Sequence, residues 1–147
     1  MNVHGFICKE VSNQGFDLET EEGRLRVEWM ELAWRYARFH NADPPTPHDM
    51  LELGWLVERR KNDCGYRKVN VQVGGRVCPA WRDVPQLVKQ LWGDLEDLSP
   101  LEFYLRFELI HPFEDGNGRV GKILLCWLNE TLDDPEMPPD FFGGGVP

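Results

Sequence analysis

The stretch His111 to Lys122 reads HPFEDGNGRVGK and gathers a histidine, two carboxylates, three glycines, an asparagine and two cations. Val120, Ile123, Leu124, Trp127 and Leu128 follow at i, i+3, i+4, i+7 and i+8, the spacing of one helix face, so the glycines open a helix. The first turn of a helix leaves four backbone N–H groups without intrahelical partners and carries about half a positive charge. Such an opening attracts anions. Gly116 and Gly118 have no Cβ to hold a phosphate off the backbone, and Asn117 can bridge phosphate or sugar oxygens. Arg119 and Lys122, three residues apart, add cations on one face of the opening turn. These residues predict a loop that grips a polyphosphate. Asp115 supplies a carboxylate beside it, which suits a Mg²⁺ bound mainly through substrate phosphates. His111, with an ordinary pKa of about 6.5, is the nearby group able to accept a proton at neutral pH. Phe113 is expected to pack inward and pin the loop, and Glu114 to face solvent.

This stretch resembles the signature of the Fic family, H-x-F-x-[DE]-G-N-G-R-x-x-R, at every specified position but the last, where Lys122 replaces arginine. The resemblance implies an all-α domain, compact and helical, with one short β-hairpin flap near its active site. It also implies a protein adenylyltransferase that moves AMP from ATP, with Mg²⁺, to a hydroxyl side chain of a target protein. On that likeness His111 is the general base and Asp115 the Mg²⁺ ligand. Gly116, Asn117 and Gly118 form the phosphate cradle, with Asn117 and Arg119 touching the nucleotide phosphates. Lys122 falls where the family's arginine grips the outer phosphate; it keeps the charge and loses the planar bidentate fork. Relatives with altered motifs use other phosphate-linked donors, so a phosphotransferase is one alternative and a catalytically silent nucleotide- or peptide-binding module another. The D-G-N-G segment makes a poor Ca²⁺ loop, since the sixth position from Asp115 is Val120 rather than glycine. Many members carry a self-inhibitory [ST]-x-x-x-E-[GN] helix that blocks that arginine. None of Ser12, Thr20, Thr46, Ser99 and Thr131 has glutamate four residues on. The enzyme is therefore unrestrained, or a small antitoxin supplies the glutamate in trans, and we expect the second.

Caps and periodicity mark the elements that must position this stretch. Leu25, Trp29, Leu32 and Tyr36 form a stripe from about Thr20, ended by Asn41 and the prolines at 44, 45 and 47. Thr46-Pro47-His48-Asp49 reads as a capping box ahead of Met50, Leu53 and Val57, on a helix ending near Arg59-Arg60-Lys61. There the basic run complements the helix dipole. Asp83-Val84-Pro85-Gln86 and Ser99-Pro100-Leu101-Glu102 repeat the cap logic, and the second of these helices delivers His111 at its end. Between the capped helices, Lys68 to Val73 alternates with period 2 and stops at Gly74-Gly75. A lone hairpin is marginal in water, so this one is expected to serve another chain. Backbone pairing along Val69, Asn70, Val71, Gln72 and Val73 would hold a target segment in register. Gly65-Tyr66-Arg67, this strand and Pro79 resemble the family's target-docking flap. Residues 1 to about 18 alternate too weakly to assign.

Length fits one catalytic domain, taken as 1–131, followed by a Pro/Gly-rich tail, 132–147, expected to be flexible, in which Phe141 and Phe142 are candidates for docking. A 41% apolar and 12% aromatic content sets the chain among globular sequences rather than disordered ones. Its net charge of −9 argues against nucleic acid or an anionic membrane as partner. Four cysteines without C-x-x-C spacing are expected to be reduced thiols, and with no export signal at the N-terminus the expected location is the cytoplasm.

Overall fold

A computed structural model describes residues 1–140, where caps and stripes resolve into six α-helices. They are α1 (Val3–Asn13), α2 (Glu21–His40), α3 (Pro47–Val57), α4 (Val84–Gly93), α5 (Pro100–Ile110) and α6 (Asn117–Leu128). Strands β1 (Gln72–Val73) and β2 (Arg76–Val77) form one antiparallel hairpin with Val73 opposite Arg76. The fold is all-α with a small hairpin, as the sequence predicts. Helix α6 lies at the centre, buried at every residue from Asn117 to Trp127 and packed against α5, α3 and α2. Around its Ile123, the side chains of Phe6, Met30, Trp34, Leu53, Phe103 and Phe107 close a core from which solvent is excluded. Among the described residues no helix is long and apolar enough to cross a membrane.

Two of the three expected capping boxes form. Asp49 Oδ2 accepts from Thr46 N (2.8 Å) and Glu102 Oε1 from Ser99 N (3.0 Å), while each cap oxygen accepts from the N3 amide. Asp83 makes no side-chain cap, because it is the last residue of a 3₁₀ turn (Trp81–Asp83) that already carries helical backbone into α4. The weakly alternating N-terminus is helix α1, capped by Asn2 Oδ1 on Gly5 N. Its stripe of Phe6, Ile7 and Val11 is broken by Glu10, which is buried among them.

The expected strand over Lys68–Val73 contracts to two residues. Gly74 (φ 53°) and Gly75 (φ 82°) make the tight turn, and Cys78 N reaches Val71 O at 3.1 Å. Val69 and Asn70 leave the ladder because other groups claim them: the Val69 carbonyl accepts from Arg67 and the Asn70 side chain from Trp81 N. Helix α3 ends at Val57, short of the basic run. Arg59 instead lies over the rings of Trp55 (4.8 Å) and Trp29 (5.6 Å), Arg60 pairs with Glu22, and Lys61 reaches Asp115. Beyond residue 131, Leu132 is buried and its carbonyl accepts from Trp34 Nε1 at 2.9 Å, which ties this part of the tail to α2. Phe141 and Phe142 lie outside the described residues. All four cysteines are free thiols.

Candidate active site

Helix α5 stops where its sequence meets Pro112, since the residue before proline is pushed out of the right-handed helical region. That residue is His111, which adopts φ 53°, ψ 63° while its N–H still closes on Phe107 O. The next five residues form the loop to α6, and three side chains hold it. Phe113 is wholly buried against α3 at Gly54, where an added Cβ would lie 2.3 Å from the ring. Asn117 returns its amide to the loop, accepting from Phe113 N (2.8 Å) and donating to Phe113 O (2.9 Å). Asn62 donates to both Gly54 O (3.0 Å) and Asp115 O (2.7 Å). Gly116, at φ 82°, turns the chain into α6, and no side chain caps the helix. The positive end of α6 is thus left for a ligand.

Burial holds the His111 imidazole down at about 4; Arg67 and Arg76 act in the same direction, against Asp115 and the Glu108 carbonyl. It is therefore neutral at pH 7 and only 2% exposed. Asp115 Oδ1 accepts from Gly116 N at 2.8 Å, and Oδ2 accepts from the exposed Lys61 at 3.1 Å. The Asp115 side chain keeps 18% exposure, so the carboxylate looks outward.

Both cations of the stretch are internally paired. Arg119 is fully buried, donating to Val57 O (2.8 Å) and Glu58 Oε2 (3.4 Å), and Glu58 is in turn held by Arg26. Lys122 Nζ meets Glu10 Oε2 at 2.8 Å, and burial raises the Glu10 carboxyl above its ordinary range. Next to this pair stands Glu108, wholly buried with neither carboxylate oxygen hydrogen-bonded; burial lifts it well above the usual value. Such burial favours its protonated form.

His111, Asp115 and Gly116–Gly118 sit on the short loop between α5 and α6 and the opening turn of α6, buried except for the partly exposed Asp115, with Glu114 exposed and Phe113 inward. The hairpin enters beside them through Arg67, which bonds His111 O. The Asn117 and Arg119 side chains both have partners within the chain. The first closes the loop and the second satisfies the orphan carbonyl at the end of α3. Sequence reasoning passed over Glu10, Glu58, Asn62 and Arg67, of which only Arg67, within the flap resemblance, carried a local signal.

A family model for the Fic/DOC family matches residues 45–128 of the chain. This chain belongs to the Fic/DOC family. The match spans α3 to α6 and leaves α1 and α2, with Glu10 and Arg26, outside it. A probable protein adenylyltransferase of Aquifex aeolicus is 39% identical over 70 residues, covering 42% of this chain and 22% of that protein. The protein adenylyltransferase Fic of Nematostella vectensis is 35% identical over 83 residues (50% and 19%), and that of Culex quinquefasciatus 27% over 120 residues (69% and 23%). The chain thus spans about a fifth of the length of the curated relatives it matches. A crystal structure of a Fic domain-containing signaling protein from Bacteroides thetaiotaomicron superposes with a TM-score of 0.54 at 25% identity, over 74% of this chain and 47% of that one. The Fic/DOC fold here accordingly carries one helix, α1, whose glutamate reaches the signature from outside the matched segment.

Proposed function

We propose that this Fic/DOC protein is a protein adenylyltransferase, moving AMP from ATP to a hydroxyl side chain of a target protein. The observation that carries the reading is His111: an imidazole kept neutral at pH 7, fixed one short loop away from the uncapped start of α6. The triphosphate lies on the α6 amides of the Gly116–Gly118 turn, and a target segment pairs with the hairpin edge. His111 takes the target hydroxyl proton as that oxygen attacks the α-phosphorus; the bond to the bridging oxygen breaks and pyrophosphate leaves. Charge grows on phosphate oxygens during this step, so backbone N–H groups already aimed at them stabilise the transition state more than the ground state.

Asp115 fits the Mg²⁺ that accompanies ATP: it is a partly exposed carboxylate at the mouth, and the exposed Lys61 on its outer oxygen can swing away. Such an ion, when bound, offsets phosphate charge. Lys122 is the reserve cation, and Glu10 of the same chain already neutralises it. That pairing supports restraint in cis, beside the antitoxin in trans expected from the sequence. Lysine in place of arginine also keeps the phosphotransferase alternative open, because the outer phosphate loses its bidentate partner.

One experiment separates these readings. The protein is incubated with Mg²⁺, cell lysate and ATP labelled at either the α- or the γ-phosphate. Covalent label from the α-position only is the expected result; label from the γ-position only makes the protein a phosphotransferase, and no label makes it a binding module.

A further inference from the structure

Arg67 is 3% exposed and has no carboxylate partner among the described residues; burial holds its guanidinium below the usual arginine value. Buried charges are ordinarily paired, so the groups this one does contact are informative. All are backbone carbonyls. Nε donates to His111 O at 2.7 Å, Nη2 to Ile110 O at 3.2 Å and to Pro79 O at 2.6 Å, and Nη1 to Val69 O at 2.9 Å. Its own N–H reaches Pro112 O at 2.9 Å.

These acceptors come from two places. Ile110 and His111 end α5, where orphan carbonyls and the negative pole of the dipole favour a cation. Val69 and Pro79 are the two stems of the hairpin. His111 itself sits in left-handed backbone, a conformation that persists in a non-glycine residue only where its surroundings enforce it. Only a planar fork spans four carbonyls at once; an ammonium group has three donors and no fixed plane.

We propose that Arg67 is a positioning residue that couples the flap to the base: one guanidinium sets the distance from the edge where a target docks to the imidazole that deprotonates it. This rests on the target-docking reading of the hairpin given above. The same charge acts on the His111 ring from the flap side together with Arg76, while Asp115 acts from the loop; the Glu108 carboxyl on α5 is held well above its ordinary range by burial. Losing Arg67 thus loosens the flap and makes His111 easier to protonate, and these two effects separate in two variants. Arg67→Lys keeps the charge and loses the fork. Arg67→Met loses both.

The test uses the full chain and three measurements: His111 imidazole titration by NMR, amide exchange at Cys78 and Trp81, and label transfer from α-labelled ATP·Mg²⁺ to lysate protein across pH. Exchange at Cys78 and Trp81 should speed up about tenfold or more in both variants, the effect of a lost hydrogen bond to a charged donor. His111 should titrate higher in Arg67→Met and near the wild-type value in Arg67→Lys. Transfer should drop in both, with its acid limb displaced upward only in Arg67→Met. Should Arg67→Met fail to fold, exchange in Arg67→Lys decides alone. Wild-type exchange in Arg67→Lys, or an unmoved His111 in a folded Arg67→Met, overturns the coupling. Absence of transfer by the wild-type protein instead removes the enzymatic reading, and titration and exchange still judge the link.

Discussion

Gly54 lies mid-helix in α3, where replacing glycine by alanine ordinarily gains about 1 kcal/mol from backbone entropy. Here the sign should reverse. A Cβ at this position would stand 2.3 Å from Phe113 Cζ and 2.4 Å from Cε1, so the ring must retreat by about 1 Å to reach ordinary contact. Phe113 is wholly buried and Asn117 bonds its backbone on both sides, so retreat displaces the loop or strains a close-packed core. Overpacking of this kind costs typically about 1–3 kcal/mol, and against the propensity gain we take a net loss of about 1 kcal/mol for Gly54→Ala. For a chain of this size that corresponds to a fall in Tm of roughly 2–4 °C by thermal denaturation. The double variant Gly54→Ala/Phe113→Leu removes the ring that meets the methyl and should be more stable than the sum of the two single losses. Because the loop carries His111 and Asp115, transfer by Gly54→Ala should also fall further than its folded fraction explains. A Tm equal to or above wild type would refute the reasoning, since it would show room at a contact argued to have none.

Four other outcomes are expected. With the neutral imidazole as base, kcat/KM should fall only as pH drops through about 4; an acid limb near 6.5 would remove the depressed His111 from that role. The unfolded histidine holds its proton up to about 6.5, so the same depression makes folding stability decline as pH falls from 6.5 through about 4, a component that His111→Ala should lack in pH-dependent melts. Glu10→Ala leaves the buried Lys122 unpaired and should cost about 3 kcal/mol, yet calorimetry should show ATP bound more tightly; weaker binding would mean that Glu10 does not compete with phosphate. Asn62→Ala abandons two carbonyls, one of them at Asp115, and should destabilise by about 1–3 kcal/mol and raise the Mg²⁺ concentration needed for activity, read from melting and a metal titration.

Local rules predict helices α2 to α6, because each announces itself through a cap, a period of 3.6 or a proline at its start or end. The loop was legible for the same reason: a glycine-rich turn before an apolar stripe is a local pattern. What escaped the sequence is tertiary. Twenty-five acidic residues look alike in a string, and nothing local marks Glu10, Glu58 and Glu108 as the buried ones. Their partners lie more than sixty residues away for Glu58–Arg119 and more than a hundred for Glu10–Lys122. Glu10 also hid the helix that bears it, since a charge on the inner stripe cancels the signal by which amphipathic helices are found. Spacing shows on which face Arg119 and Lys122 emerge and not that internal anions, Glu58 and Glu10, meet them. The capping rule overreached at Asp83 for the opposite reason: a 3₁₀ turn already supplied the helical entry.

The backbone of His111 favours glycine or asparagine over histidine, and its buried Nδ1 makes no hydrogen bond. As the base proposed above, His111 would hold its role against the backbone preference of its own position, and His111→Gly should relieve the left-handed strain while losing transfer.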